Sequence, residues 1–345
     1  MHPYLFEIPL PWGASFRAPS YGFMMATGFL VCLYLLTRRA RRMGLDPSAL
    51  FDMATAALIG GLVGARVFYL IQNWGEFASD PWSFFYFWRG GLTFYGGLLG
   101  GAAAALLVVR RKRLPVRASL DVAASLLPLG HAFGRVGCFL QGCCFGKATA
   151  SWAGVRFPRM LADGFSNELV LNADGRHVTG SPAFLQQVLE GWPRDTFQRL
   201  TASASGQLQE EFRQATALVG DQYHLRSTSA WSLPVHATQL YEVAYNLLIF
   251  AALSYLLRRR RRAGDVAWAY GMLYGSARFA NEFLRADTAL SGTVGGLTVF
   301  QVLSLGAAAF GLVMLLDSLR RPRQPLPELW QPPPEARKKR QAPMR

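Results

Sequence analysis

Seven predominantly apolar runs of about 20 residues each shape this chain, at 21–37, 53–71, 91–109, 120–139, 238–257, 266–284 and 297–316. An α-helix rises about 1.5 Å per residue and a bilayer core is about 30 Å thick, so each run is long enough to cross one. In lipid every backbone N–H and C=O must be satisfied within the chain, and a helix does this segment by segment. The expected fold is therefore an all-α membrane protein of about seven transmembrane helices. Composition agrees: only 17% of residues are charged, against about 25% in a soluble domain. Nine Trp and 24 Phe suit rings placed at membrane interfaces. Residues 1–13 lack a basic start and a small-residue cleavage site, so the first run is read as a retained span.

The net charge of +15 raises nucleic acid as a partner, but its distribution argues against one. Lys and Arg fall in blocks beside the apolar runs, at 38–42, 110–117, 258–262 and 320–345, which together hold 22 of the 36 basic residues. A nucleic-acid stripe would lie on one folded face with readers between the charges. With the N-terminus outside, all four blocks fall on the cytoplasmic side, as the positive-inside rule requires. The expected organisation is residues 1–145 as transmembrane helices one to four, 146–234 as a small extracytoplasmic head insert, 235–319 as helices five to seven, and 320–345 as a basic cytoplasmic tail. The insert balances eight basic with eight acidic residues, so it should translocate without disturbing topology. Within it, 207–219 reads as an amphipathic helix and 172–175 as a hairpin turn. The tail, rich in Pro, Lys and Arg, reads as disordered and drawn to anionic lipid.

Ionisable residues inside spans cost free energy and so point to function. Arg66, His131, Arg135, Glu242, Arg278 and Glu282 stand there, with His236 near a span end. Tyr274, Arg278, Glu282 and Arg285 share one helix face, where Arg278 and Glu282 can support each other. His236, Gln239, Glu242 and Asn246 form a second stripe. The run GRVGCFLQGCCFG at 134–146 brings Arg135 to the same, outer end of the membrane. Converging arginines suit a phosphate, because a guanidinium binds it through paired N–H groups and stays charged. Gly134, Gly137, Gly142 and Gly146 would let the backbone approach a head group. RGGLTFYGG at 89–97 opens the third span and matches no nucleotide motif. Among the four cysteines no CxxC pair and no zinc-like Cys/His spacing occurs. Cys138 with Cys143 or Cys144 as a disulfide is one reading, and apolar filler at a packed helix end is the other.

These segments, with HPYLFEI at 2–8, SYGFMMATGF at 20–29, VGARVFY at 63–69, VHATQLYE at 235–242 and YGSARFANEFLR at 274–285, together resemble the phosphatidylglycerol–prolipoprotein diacylglyceryl transferase family. The resemblance implies a multi-pass enzyme of the bacterial cytoplasmic (inner) membrane with its active site toward the extracytoplasmic side. It implies transfer of the diacylglyceryl group of phosphatidylglycerol to the lipobox cysteine of a prolipoprotein signal peptide, with no metal or organic cofactor. By motif, Arg135 and Arg278 correspond to the family's essential arginines and are assigned to the phosphate, with Arg285 assisting and Glu282 orienting Arg278. Tyr21, Gln141, Gly142 and Glu242 match positions lining the lipid site; Gly134, Gly146, His236, Gln239 and Tyr274 complete the expected substrate-binding set. Two positions depart from the family. Tyr95 stands where some members carry a His proposed as base, and Cys138 where another carries Asn. Either Tyr95 only hydrogen-bonds or the base lies elsewhere, at His236 or Glu242. A transporter or flippase for an anionic phospholipid is the alternative reading.

Overall fold

A computed structural model describes residues 4–9, 15–79, 81–85, 91–147, 149–157, 167–170, 177–180, 234–259, 262–285 and 293–322. The amphipathic stretch read at 207–219, the turn at 172–175 and the tail from 323 onward lie outside the described residues.

Each of the seven apolar runs carries helix. In chain order the helices are α1 (Ser20–Arg42), α2 (Pro47–Gln72), a short α3 (Trp74–Ser79), α4 (Phe94–Arg111), α5 (Val116–Ala124), α6 (Leu127–Gln141), α7 (Thr238–Arg259), α8 (Asp265–Glu282) and α9 (Val299–Leu319). Among the described residues five stretches are long and apolar enough to cross a membrane: α1, α2, α5 with α6, α7 and α9. The molecule is thus a mostly helical, multi-pass membrane protein. Leu30, Tyr34, Ile59, Leu99, Leu248 and Val313 are each more than half exposed, a surface that suits lipid far better than water.

The helices carry the fold as expected, and short ribbons accompany them: Tyr4–Pro9 (β1) pairs antiparallel with Ser15–Pro19 (β2), Asn167–Val170 (β3) with His177–Gly180 (β4), and Thr293–Val294 (β5) with Leu297–Thr298 (β6). Such two-residue to six-residue strands carry no hydropathy signal. The β3–β4 pair flanks the hairpin turn read at 172–175. The fourth run is not one continuous helix. Pro128 has no N–H to donate to a preceding carbonyl, and the chain breaks at Ser125–Leu126 between α5 and α6. The carbonyls at the break find other donors: Arg39 Nη1 reaches Ser125 O at 3.2 Å, and Cys32 Sγ approaches Leu126 O at 3.7 Å.

The chain forms two compact units. One comprises 29–128, 249–273 and 307–345. Its core joins Leu36, Leu45, Leu50, Met53, Val109, Leu114 and Val122. Two of these, Leu45 and Leu114, follow helix ends of the same design. The residue before each lies in the left-handed region, Gly44 at φ 68° and Arg113 at φ 51°. The next N–H then reaches back to Ala40 O at 3.0 Å or Val109 O at 2.9 Å, a Schellman closure that turns an apolar side chain inward. At its other end α2 is capped by Asp46, whose Oδ1 accepts the Ser48 N–H at 3.0 Å, with Pro47 at the first helical position. Helix α8 is capped from α5: Asp121 accepts N–H groups of Gly264, Val266 and Ala267 at 2.8, 3.0 and 3.0 Å.

Helices α2 and α4 meet in the same unit through Gly60, Gly64, Gly96 and Gly100. A Cβ on Gly64 would lie 2.4 Å from Gly96 O, and one on Gly100 would lie 2.3 Å from Gly60 O. Backbone touches backbone, the close approach that small residues at every fourth position permit in membranes. Arg66, buried beside this interface, donates to Gly91 O at 3.0 Å and lies over Tyr69. It staples the turn that opens α4.

Candidate functional site

The other unit comprises 1–28, 129–248 and 274–306, and its geometry starts from how α6 ends. Gly142, at φ 77°, sends its N–H to Phe139 O at 3.2 Å, while Cys143 N–H reaches Cys138 O at 3.1 Å. This is again a Schellman closure. It throws the chain back across the start of α7, where Gln239 Nε2 donates to Cys143 O at 2.7 Å and Thr238 Oγ1 to Cys144 O at 2.9 Å. The chain then runs between two others. Gly146 N–H donates to His236 O at 2.8 Å, and Lys147 N–H to Leu284 O at 2.7 Å. A Cβ on Gly146 would meet His236 Cβ and Leu284 O, both at 2.6 Å, so only glycine passes. One segment thereby fixes the end of α6 against the start of α7 and the end of α8.

That arrangement gathers the charges. Glu242 on α7 is 1% exposed, and its carboxylate is fully engaged. Oε2 accepts from Arg135 Nε at 2.7 Å; Oε1 accepts from Asn281 Nδ2 at 3.0 Å and Arg285 Nη1 at 3.1 Å. Glu282 on α8 pairs with Arg278 one helical turn earlier, lies 4.0 Å from Arg285 Nε, and accepts from Thr298 Oγ1 at 3.2 Å. Thr298 itself begins α9 in a capping box: Gln301 N–H donates to Thr298 Oγ1 at 3.1 Å, and Thr298 N–H to Gln301 Oε1 at 2.9 Å. Arg278 also lies over the Phe300 ring, 5.7 Å from its centroid. Three guanidinium groups against two carboxylates leave one positive charge in a largely buried cluster. Coulomb attraction is strong there because water screens it poorly.

Of the sequence-predicted residues, Arg135, Glu242, Arg278, Glu282 and Arg285 come together in this cluster. Gln239, Gln141, Gly142, Gly146 and His236 build the turn beside it. Gly134 and Gly137 let α1 pack on α6: a Cβ on Gly134 would stand 3.3 Å from Met25 Sδ, and one on Gly137 would stand 3.1 Å from Tyr21 Cδ2. Tyr274 stacks 5.0 Å from His131 and 6.4 Å from Tyr245. His236 Nδ1 faces Tyr241 Oη at 3.3 Å. Tyr95 belongs to the unit described first, on the opening turn of α4, where it is 38% exposed. Asn281, Thr298 and Tyr245 were not foreseen. Asn281 sits between Arg278 and Arg285 at helical spacing, and TVFQ at 298–301 carries the capping-box pattern, so both had a signal; Tyr245 had none. Gln239 Oε1, Tyr245 Oη and Asn246 Oδ1 are buried without a hydrogen-bond partner among the described residues. Buried polar atoms left so are uncommon, and a polar ligand is one explanation.

A family model described as prolipoprotein diacylglyceryl transferase matches residues 9–316. Among its relatives, the phosphatidylglycerol–prolipoprotein diacylglyceryl transferase of Stenotrophomonas maltophilia (strain R551-3) is 31% identical over 308 residues, 88% of either chain. The protein of that name from Xylella fastidiosa (strain M12) is 30% identical over 315 residues, 89% of this chain and 91% of its own. That of Clostridium tetani (strain Massachusetts / E88) is 27% identical over 322 residues, 93% of this chain and all of its own.

Proposed function

The chain belongs to the prolipoprotein diacylglyceryl transferase family, and on that premise we propose that it moves the diacylglyceryl group of phosphatidylglycerol to the lipobox cysteine of a prolipoprotein. The observation that carries the reading is the cluster of Arg135, Arg278 and Arg285 held by Glu242 and Glu282. Its single net positive charge complements a phosphodiester monoanion. The incoming thiolate sulfur attacks the glyceryl carbon bonded to the phosphate ester oxygen. A C–S thioether bond forms as the C–O bond breaks, and the electron pair leaves with the phosphate as glycerol 1-phosphate. Negative charge grows on the departing phosphate, and guanidinium groups already fixed in place stabilise it with little reorganisation.

In this reading Arg135 and Arg278 hold the phosphate and Arg285 assists. Glu242 is a positioning residue and not the base, because arginine and asparagine donors occupy both of its oxygens. Tyr95, on the opening turn of α4, is read as a hydrogen-bonding group and not as the base. In the tautomer whose Nδ1–H donates to Tyr241 Oη, His236 has Nε2 free to take the thiol proton. Seven spans, with the N-terminus outside and the cluster toward the extracytoplasmic side, would bring it to where an exported cysteine arrives.

The test uses membranes containing the full chain, labelled phosphatidylglycerol and a lipobox peptide. Thioether product should form, and Arg135→Ala and Arg278→Ala should each lower kcat/KM by about a hundredfold or more. Movement of lipid without thioether product would overturn the proposal.

A further inference from the structure

Cys138, Cys143 and Cys144 play no part in the chemistry above, yet their sulfur atoms all lie within 4.8 Å of one another. Linear spacing hides this, because C-x4-C-C resembles no zinc pattern. The helix end creates it. A Schellman closure places the residue after its glycine over the residue five positions earlier, which stacks Cys143 on Cys138. Cys144 then adopts φ 61°, a conformation uncommon for a residue other than glycine, and its sulfur joins the other two. Cys138 is 8% exposed, and Cys143 and Cys144 are half-buried.

We propose that Cys138, Cys143 and Cys144 bind one soft d10 metal ion as a three-thiolate site, with Cu(I) as the ion that fits. Three sulfurs each about 2.3 Å from a central ion stand about 4 Å apart, and the three here already lie within 4.8 Å of one another. Thiolates select Cu(I) and zinc over harder ions. Among the described residues no fourth histidine, cysteine or carboxylate joins the group. Structural zinc is almost always four-coordinate, whereas Cu(I) accepts three donors. A disulfide would use two of the sulfurs and leave the third without a role. Occupancy would clamp the turn whose carbonyls hold Gln239 and Thr238. The site stands apart from the transferase reading, and either could fail alone.

The experiment titrates the full chain, reduced and desalted anaerobically in detergent, with Cu(I) against a chromophoric Cu(I) chelator; Zn(II) is the parallel arm. One Cu(I) per chain should leave the chelator, raise the unfolding temperature and produce near-ultraviolet sulfur-to-copper absorption. Cys138→Ser, Cys143→Ser and Cys144→Ser should each weaken uptake at least a hundredfold, while Cys32→Ser, outside the cluster, leaves it unchanged. X-ray absorption on the unmutated protein should count three sulfurs around the copper, which decides the matter even if a variant fails to fold. Equal uptake by the variants, zinc uptake without copper uptake, or a disulfide among these residues in cells alkylated before lysis would each overturn the proposal.

Discussion

Both oxygens of Glu242 face arginine, and removing that charge without removing its volume isolates what it contributes. Glu242→Gln would take from Arg135 its buried carboxylate and leave Arg285 only Glu282, 4.0 Å away. Breaking a buried pair from one side costs about 3–5 kcal/mol. Asp317→Asn breaks the pair between Asp317 and Arg321, whose side chains are 44% and 40% exposed, and such surface pairs are worth under about 1 kcal/mol. Thermal unfolding in detergent should therefore show a large drop for the first variant and almost none for the second; equal drops would mean Glu242 holds nothing together. Much of this cluster was legible in the sequence, because Arg278, Glu282 and Arg285 obey helical spacing and Gln239 and Glu242 form a polar stripe. What spacing could not give is pairing between helices. Arg278 meets Glu282 one turn away, as a local rule allows, but Arg135 and Glu242 stand 107 positions apart. Nothing local links them until the turn after α6 folds across α7.

Among the helices, hydropathy located every apolar run but missed what shapes it. The Pro128 break, the three short β ribbons and the α2–α4 contact all arise from backbone hydrogen bonding and close approach, to which an apolar count is blind. The glycine contact makes a prediction of opposite signs. Gly100→Ala drives a methyl to within 2.3 Å of Gly60 O, and overpacking of this kind costs about 1–3 kcal/mol. Gly306 lies inside α9 with nothing within 4 Å of its would-be Cβ. Gly306→Ala relieves the entropic cost of a helical glycine and should stabilise by up to about 1 kcal/mol. Denaturant titration of helical ellipticity reports both. If Gly100→Ala proves as benign as Gly306→Ala, the two helices do not meet backbone to backbone.

For the molecule as a whole, the distribution of charge makes the orientation testable. The four basic blocks close α1, α4 and α7 and follow α9, and all belong to the unit comprising 29–128, 249–273 and 307–345. Arg135, Arg278 and Arg285 belong to the other unit, each paired with a carboxylate. These are two uses of arginine. Arg110, Arg111 and Lys112 sit at an exposed helix end, where the positive-inside rule counts them, whereas the paired arginines carry little net charge into that count. Trp152 is 98% exposed, and the Lys112 side chain is 49% exposed, so each can be replaced by a reporter cysteine without disturbing packing. In right-side-out vesicles a membrane-impermeant maleimide should label Trp152→Cys at once and Lys112→Cys only after the membrane is opened, relative to the unsubstituted chain. The opposite order would put the end of α4 outside and the residues after α6 inside. A cysteine emerging from the export machinery would then arrive on the wrong side of the membrane to meet the arginines, and the proposed reaction would lose its acceptor whatever the geometry of the cluster.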